Sequence, residues 1–215
     1  MGAAKIHNNS FARMKRLKSV TIQNGVTNIA EDAFAENKKL TTVRMADTVK
    51  VISAGAFSDS RIREFHVPDS IEDFSNDALR GCNTLVSYDG KSTGKYPVID
   101  GILYENGGKT LRDYPSHRAG STFTVPDMVT VVKGEAFYKA NNLKKLFFKN
   151  TIKKLYMNCI DSCKRLKQIV FEEGTKLSEG GYAVSDCDRL AVIVGPKQYI
   201  LENMAEEADA TLITL

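Results

Sequence analysis

The chain has 215 residues, of which 42% are hydrophobic, and its formal net charge is +4. This composition supplies enough apolar material for a sizeable core in one elongated domain. The sequence has no run of 18 or more apolar residues and no charged segment followed by an apolar signal core. It therefore predicts neither membrane insertion nor a visible leader. The mild positive charge does not favour nucleic acid as a partner.

An apolar skeleton recurs from one end of the chain to the other. In the stretch Leu17 to Lys39, apolar residues lie at offsets 3, 5, 9, 12, 16 and 17 from Leu17. The leading apolar residue then returns at Leu40, Ile62 and Leu85. The units that begin at Leu40 and Ile62 are apolar at all 12 positions compared. A constant repeat of about 23 residues is typical of a solenoid, in which each coil is one repeat.

The repeats give the predicted organisation of one solenoid domain over 1–215. Residues 1–16 contain only the second half of a repeat, since Ile6 and Phe11 match Ile29 and Phe34 one repeat further along the chain. Complete repeats are predicted over 17–90 and 120–195. Residues 196–215 are expected to form a C-terminal cap, with a short helix at 198–208 and a strand at 211–215.

An insertion interrupts the repeats at about 91–119. The interval from Leu85 to Leu143 exceeds two repeat lengths by about 12 residues. Two strand-like segments, Val98 to Tyr104 and Thr110 to Tyr114, flank the sequence Asn-Gly-Gly at 106–108. These glycines can adopt the positive φ that a tight turn needs. We therefore predict a β-hairpin that either projects from the solenoid or lies along it.

Each unit is expected to contain two short extended pieces. The L-x-x-V-x-I segment predicts a short parallel strand with one buried face. A second extended piece follows, as in Val26 to Ile29, and then a turn of helix that carries Ala-Phe. The small alanine would allow close approach of the next coil, and the phenylalanine would fill the space between coils.

These motifs resemble a known family. HVPDSIEDFSNDALRGCNTL at 66–85 and TVPDMVTVVKGEAF at 124–137 are similar to the BspA-like type of leucine-rich repeat, and VIDGILYENGGKTLRDYP at 98–115 resembles a hairpin element found between such repeats. The resemblance extends from Ile6 to about Ile193. It implies a right-handed, β-dominated α/β solenoid of the leucine-rich-repeat type, and a secreted or cell-surface protein that acts in adhesion and protein binding. The family pattern contains no catalytic residues, so none is assigned.

Four cysteines could carry chemistry or merely fill the core. Cys82, Cys163 and Cys187 each lie three places after the Phe-type residue of their unit, where Asn37 lies in the first full unit. We predict a column of small buried side chains at this position. The alternatives are a metal site that includes Cys159, for which the spacing is not a standard zinc pattern, and a disulfide between Cys163 and Cys187. We predict free thiols, no metal and no cofactor.

The outward positions of the strands are the predicted partner-binding residues. Stacking places polar residues on this strand face in the first half of the chain and apolar residues in the second half. The candidates are Arg44, His66, Phe147, Val170, Val192 and Val194. The hairpin, the terminal segment or a second copy could instead cover the apolar part.

A basic rim is the other candidate surface. One cation precedes the leading apolar residue in each of five units: Arg16, Lys39, Arg61, Arg165 and Arg189. This rim could attract an acidic glycan or protein, or simply keep the repeats soluble. It lacks the aromatic residues expected of a nucleic-acid surface.

The sequence as a whole predicts a non-enzymatic binding module. Its strand face would contact a protein ligand, such as a host or extracellular-matrix protein, outside the cell or at the cell surface. The alternative is a structural spacer or stalk within a larger surface protein. No nucleophile–base pair or carboxylate pair occurs at a usable spacing, which disfavours an enzyme.

Overall fold

The computed structural model describes residues 4–91 and 93–215. Short strands and tight turns alternate throughout this part of the chain, which contains one α-helix. The chain divides into two compact units, residues 1–101 and 102–215. Each unit is built from stacked coils, and each coil corresponds to one sequence repeat, as in a leucine-rich-repeat solenoid.

The first unit contains two kinds of strand in each coil. Its strands are β1 (Ala4–Ile6), β2 (Ser19–Ile22), β3 (Val26–Ile29), β4 (Thr42–Met45), β5 (Val51–Ile52), β6 (Glu64–His66), β7 (Asp73–Phe74), β8 (Ser87–Asp89) and β9 (Val98–Ile99). The leading strands form the parallel pairs β2–β4 and β6–β8. The second extended pieces form a parallel sheet in the order β1-β3-β5-β7. Ile6 pairs with Ile29, and Ile29 with Ile52, so the register equals the sequence repeat.

The second unit has the same layout with additions. Its elements are β10 (Ile102–Glu105), β11 (Thr110–Asp113), β12 (Thr122–Thr124), β13 (Val131–Val132), β14 (Lys145–Phe148), β15 (Lys154–Leu155), β16 (Ile160–Asp161), β17 (Gln168–Phe171), β18 (Val184–Ser185), β19 (Val192–Gly195), α1 (Tyr199–Glu207) and β20 (Thr211–Thr214). The leading strands form one parallel sheet in the order β12-β14-β17-β19-β20. The strands β11, β13 and β15 pair in parallel beside one another.

The inserted hairpin is present and lies within the stack of coils. Strands β10 and β11 are antiparallel, and the Asn-Gly-Gly segment between them forms a tight turn in which all three residues have positive φ. Because β11 also pairs in parallel with β13, the hairpin lies along the solenoid and does not project from it. The strand predicted from Val98 to Tyr104 was wrong in one respect. It is interrupted at Asp100 and Gly101, where φ is 50° and 71°, values that suit an Asp-Gly turn.

The helical turn predicted at each Ala-Phe was wrong. This segment forms consecutive β-turns, because its backbone N–H groups alternate between two kinds of acceptor. Those of Asp32, Phe34 and Glu36 donate to carbonyls of the next coil at 3.0, 2.8 and 2.8 Å. Those of Ala33 and Ala35 donate three residues back within their own coil. Asp32 and Glu36 adopt positive φ, 53° and 57°, which directs alternate groups outwards and prevents a continuous helix.

Small and aromatic side chains pack the interior between coils. Phe11, Phe34 and Phe57 stack with centroids 5.2 and 5.3 Å apart and nearly parallel rings. In the second unit, Phe148 stacks on Phe171 at 4.9 Å. Such pairs contribute about 0.5–1.5 kcal/mol each beyond the burial of their area. The stack of Phe34 on Phe57 confirms the predicted role of the phenylalanine in the Ala-Phe turn, whereas Phe148 and Phe171 belong to leading strands.

A column of buried side chains forms hydrogen bonds between neighbouring coils. Asn37 is fully buried; its side-chain amide donates to the carbonyls of Phe11 and Phe34 at 2.8 Å and accepts from the Met14 N–H at 2.8 Å. At the same repeat position, the thiol of Cys82 donates to the Phe57 carbonyl at 3.2 Å. In the second unit, the thiols of this column bond in the same way, with Cys163 to the Phe137 carbonyl at 2.9 Å and Cys187 to the Ile160 carbonyl at 3.6 Å. All four cysteines are buried and free, as a structural column requires.

The C-terminal helix connects two neighbouring strands of one sheet. Helix α1 buries Leu201, Met204 and Ala205, and β20 then pairs in parallel with β19. The predicted helix and strand are therefore both present. Their role as a cap stays a prediction.

Replacement of Asn37 by alanine tests the polar column. Asn37→Ala removes three hydrogen bonds from backbone groups, and we expect it to lower the free energy of unfolding by about 1–3 kcal/mol. The matched control is Asn24→Ala, because Asn24 is exposed and its side chain makes no hydrogen bond among the described residues. Denaturant unfolding measures both variants. Equal stability of the two variants would contradict the structural role of Asn37.

Candidate functional site

The strand face of the first unit carries a shallow polar groove. It has a volume of about 670 Å³. Both residues predicted to bind a partner in this unit, Arg44 and His66, line it. The full lining is Thr41, Thr42, Val43, Arg44, Met45, Arg63, Glu64, His66 and Asp89. The groove therefore combines charges of both signs with the apolar residues Val43 and Met45.

His66 links three successive coils within the first unit. Its Nδ1 lies 3.1 Å from Oδ2 of Asp89, and its Nε2 lies 3.4 Å from Oδ1 of Asp47. The backbone N–H of Asp69 also donates to that Asp47 oxygen, at 3.1 Å, and Lys91 forms an ion pair with Asp69. The predicted surface histidine is thus a half-buried bridge between two carboxylates.

The electrostatics of this bridge favour a protonated imidazole. Burial opposes the charge on His66, but the bonds to Asp89 and Asp47 outweigh it and raise the pKa of the imidazole above its ordinary value of 6.5. The bond from the Asp69 N–H and the bond from His66 lower the pKa of Asp47. The bonds to the two aspartates therefore favour the charged form of His66, which lines the groove.

The strand face of the second unit carries an apolar strip. Phe147 pairs in register with Val170, Val170 with Val194, and Val194 with Ile213. Val192 lies in the neighbouring column, between Gln168 and Thr211. We define the apolar strip as Phe147, Val170, Val192, Val194 and Ile213.

The strip is partly open to solvent. Its first four members are half-buried, and Ile213 is 49% exposed. Hydrogen-bonded strands lie about 4.8 Å apart, so the strip is continuous across β14, β17, β19 and β20. Within the second unit, the hairpin lies in another sheet, and β20 lengthens the strip with Ile213 instead of covering it.

The basic rim is exposed in both units. Arg16, Lys39 and Arg61 lie at the corner before the leading strands of the first unit, and Arg165 and Arg189 at that corner in the second. The site residues predicted from sequence therefore fall into three surfaces: the groove, the apolar strip and the rim.

The described residues contain no group of three or more His, Cys, Asp or Glu side chains that could hold a metal ion. The buried cysteines differ in their electrostatics. Burial raises the pKa of the Cys159 thiol. The hydrogen bond between Cys163 and Cys187 raises the pKa of Cys163, where burial adds to the effect, and lowers the pKa of Cys187. The absence of a metal stays a prediction.

Sequence reasoning missed three residues of these surfaces. Asp89 lies one repeat after His66, so the repeat spacing alone places it beside the histidine. Asp47 lies in a turn, 19 residues before His66. This separation differs from the repeat length, so the repeat does not predict that the two side chains meet. Ile213 follows a helix of nine residues, which obscures its equivalence to Val194.

The comparisons with known proteins identify the fold family. A profile described as "BspA type Leucine rich repeat region" matches residues 2–94 and 116–208 in six copies. The chain belongs to the BspA-type leucine-rich repeat family. The residues between these two ranges, 95–115, contain the inserted hairpin. No curated protein matches the sequence.

Solved structures agree with this assignment. A leucine-rich cell surface protein from Faecalibacterium prausnitzii A2-165 superposes with a TM-score of 0.72 at 22% identity, over 96% of this chain and 62% of that one. The pneumococcal vaccine antigen PcpA superposes with a TM-score of 0.64 at 14% identity, over 98% of this chain and 71% of that one. The chain thus spans less than two thirds of the first of these relatives. At such identities the likeness concerns the fold.

None of the described helices is long and apolar enough to cross a membrane. The helix α1, with nine residues, lies against β19 and β20.

The raised pKa of His66 predicts a pH-dependent stability. Its contribution is complete below the unfolded-state pKa of about 6.5 and is lost as the pH rises through the raised folded-state pKa. We therefore expect His66→Gln to destabilise the protein more at pH 5.5 than at pH 8.5. The difference should stay below about 1 kcal/mol because the ion pairs are partly exposed.

Unfolding of both proteins in denaturant at the two pH values measures this difference. His117→Gln is the control, because His117 is exposed and its side chain forms no ion pair among the described residues. A His66→Gln effect that is the same at both pH values would show that the aspartates do not hold the charge.

Proposed function

We propose that this chain is a non-enzymatic, protein-binding repeat module whose main contact surface is the apolar strip of the second unit. The observation that carries the proposal is the register of Phe147, Val170, Val194 and Ile213 across four neighbouring strands. A contiguous apolar surface of this kind is typical of interaction sites, whereas scattered apolar residues are not. A spacer that only separates other domains has no need of such a strip.

The border of the strip supports a protein ligand. Lys145 and Gln168 lie in the neighbouring column on one side, and Thr211 continues that column on β20. Lys144 and Lys167 precede the same strands and are exposed. An apolar centre with a polar, solvent-accessible border is the usual anatomy of a protein–protein interface.

The relatives suggest where this module acts. One of the superposed structures is described as a cell surface protein, and the other as a vaccine antigen. We propose a location at the cell surface or outside the cell, with adhesion to a host or extracellular-matrix protein as the role. Labelling of intact cells with a membrane-impermeant reagent tests the location. Label that reaches the protein only after lysis would contradict it.

A charge placed in the centre of the strip tests the contact surface. Val170→Asp puts a carboxylate where a ligand would exclude water, and we expect at least a tenfold loss of affinity, about 1.4 kcal/mol. Immobilised fibronectin, laminin and type I collagen serve as probes, with binding followed by surface plasmon resonance. Folding of the variant is checked by circular dichroism.

Thr21→Asp is the matched control, because Thr21 occupies the same repeat position on the strand face of the first unit. It should bind as the unsubstituted protein does. If none of the three probes binds, matrix adhesion is contradicted. If a probe binds and both variants bind it equally well, the strip is not the contact surface.

A further inference from the structure

The corner before the leading strands of the first unit carries a dense cluster of cations. Six exposed side chains lie there within three successive coils: Lys15, Arg16, Lys18, Lys39, Arg61 and Arg63. No aromatic residue occurs in the segments 13–18, 38–41 and 61–63 that form this corner. The cluster extends the predicted rim of this unit from three cations to six.

Backbone hydrogen bonds fix the stacking of these cations. The Thr41 N–H donates to the Lys18 carbonyl at 3.0 Å, and the Arg61 N–H donates to the Leu40 carbonyl at 2.9 Å. Arg16, Lys39 and Arg61 therefore follow one another at the spacing of the coils, about 5 Å. The three coils form a row of charge about 10 Å long.

Two nearby acids of the described structure are engaged by other cations: Glu36 pairs with Arg13, and Asp59 pairs with Lys38 at 3.2 Å. Glu64 directly follows Arg63 and is exposed. Among the described residues, none of the six cations forms an ion pair. Stacked like charges repel one another, so the row lowers the stability of the free protein. A bound anion would remove this repulsion.

The same corner of the second unit carries a shorter row. Arg165 and Arg189 occupy the repeat position of the row there, in two successive coils, and both are exposed. A paired cation lies beside each row, since Lys164 pairs with Asp188 at 2.9 Å in the second unit as Lys38 pairs with Asp59 in the first. The two corners therefore differ in the number of successive coils that carry the row, two in the second unit and three in the first.

We infer that this row binds a linear anionic polysaccharide, in which sulfate or carboxylate groups recur along an extended chain. A row of cations at a regular spacing complements such a polymer, because successive anionic groups can meet successive coils. Both kinds of cation suit the contact. Guanidinium groups of arginine bind sulfate or carboxylate in a bidentate manner, and the ammonium group of lysine binds them as a point charge. Nucleic acid fits less well, because single strands bind through stacking on aromatic side chains. This surface is separate from the apolar strip, so the inference does not depend on the proposed protein contact.

The experiment compares two variants with the same net charge. Arg16→Gln/Lys39→Gln/Arg61→Gln removes three cations from the row, and Arg165→Gln/Arg189→Gln/Lys197→Gln removes three exposed cations from the second unit. Each triple variant carries a formal net charge of +1, since +4 less 3 is +1. Binding to heparin, to polygalacturonate and to single-stranded poly(dT) is measured by titration at two salt concentrations. Circular dichroism and thermal melts confirm folding.

We expect the unsubstituted protein to bind heparin or polygalacturonate, more weakly at high salt because counterions screen the contact. The row variant should lose at least tenfold in affinity, and the second-unit variant less than twofold. Saturating polysaccharide should raise the melting temperature of the unsubstituted protein more than that of the row variant. Binding to heparin alone assigns sulfate as the anionic group, and binding to polygalacturonate shows that carboxylate suffices.

Three results would overturn the inference. The first is the absence of polysaccharide binding at low salt. The second is an equal loss in both triple variants, which would reflect net charge alone. The third is tighter binding of poly(dT) than of either polysaccharide, which would indicate a nucleic-acid surface.

Discussion

The hydrogen bonds between successive coils are the interaction on which the rest of this structure depends. Within each Ala-Phe turn, alternate N–H groups reach across to the next coil, as in the bond from the Phe34 N–H to the Ala56 carbonyl at 2.8 Å. The second unit repeats this bond from Phe137 to the Cys159 carbonyl at the same distance. Coils held this closely require each inward side chain to pack on its equivalent in the next coil, as the rings of Phe34 and Phe57 do. Polar groups are admitted only where they satisfy the backbone, as Asn37 does.

This constraint separates the residues that make the fold from those that are free to make contacts. Inward positions have to repeat, because each one packs on its equivalent in the next coil. Outward strand positions lie outside the core, so the same register can present a polar groove in one unit and an apolar strip in the other. The corners before the strands are equally free, which explains why the row of cations can extend over three successive coils in one unit and over two in the other. Function in such a chain depends on departures from the repeat.

The sequence predicted much of the fold because the fold is periodic. The constant repeat length was enough to place Ile6 beside Ile29 and Phe147 beside Val170. The sequence-based prediction was wrong where the backbone departs from common conformations. Asp32 and Glu36 have positive φ, so the segment expected to form a helical turn forms β-turns. Residue propensities rarely predict positive φ at residues other than glycine. The contact surfaces were predictable where they follow the repeat, as with Val194. They were not predictable where a turn residue such as Asp47 reaches out of register to His66.

Residue-resolved hydrogen exchange under native conditions tests the central role of the bonds between coils most directly. The account predicts that the amides of Phe34, Phe57 and Phe137 are among the slowest to exchange, and that their exchange follows the unfolding of the stacked coils as denaturant is added. Exposed turn amides such as that of Asn24 should exchange rapidly. If the three phenylalanine amides exchange as fast as Asn24, the bonds between coils do not hold the structure together and the account is wrong.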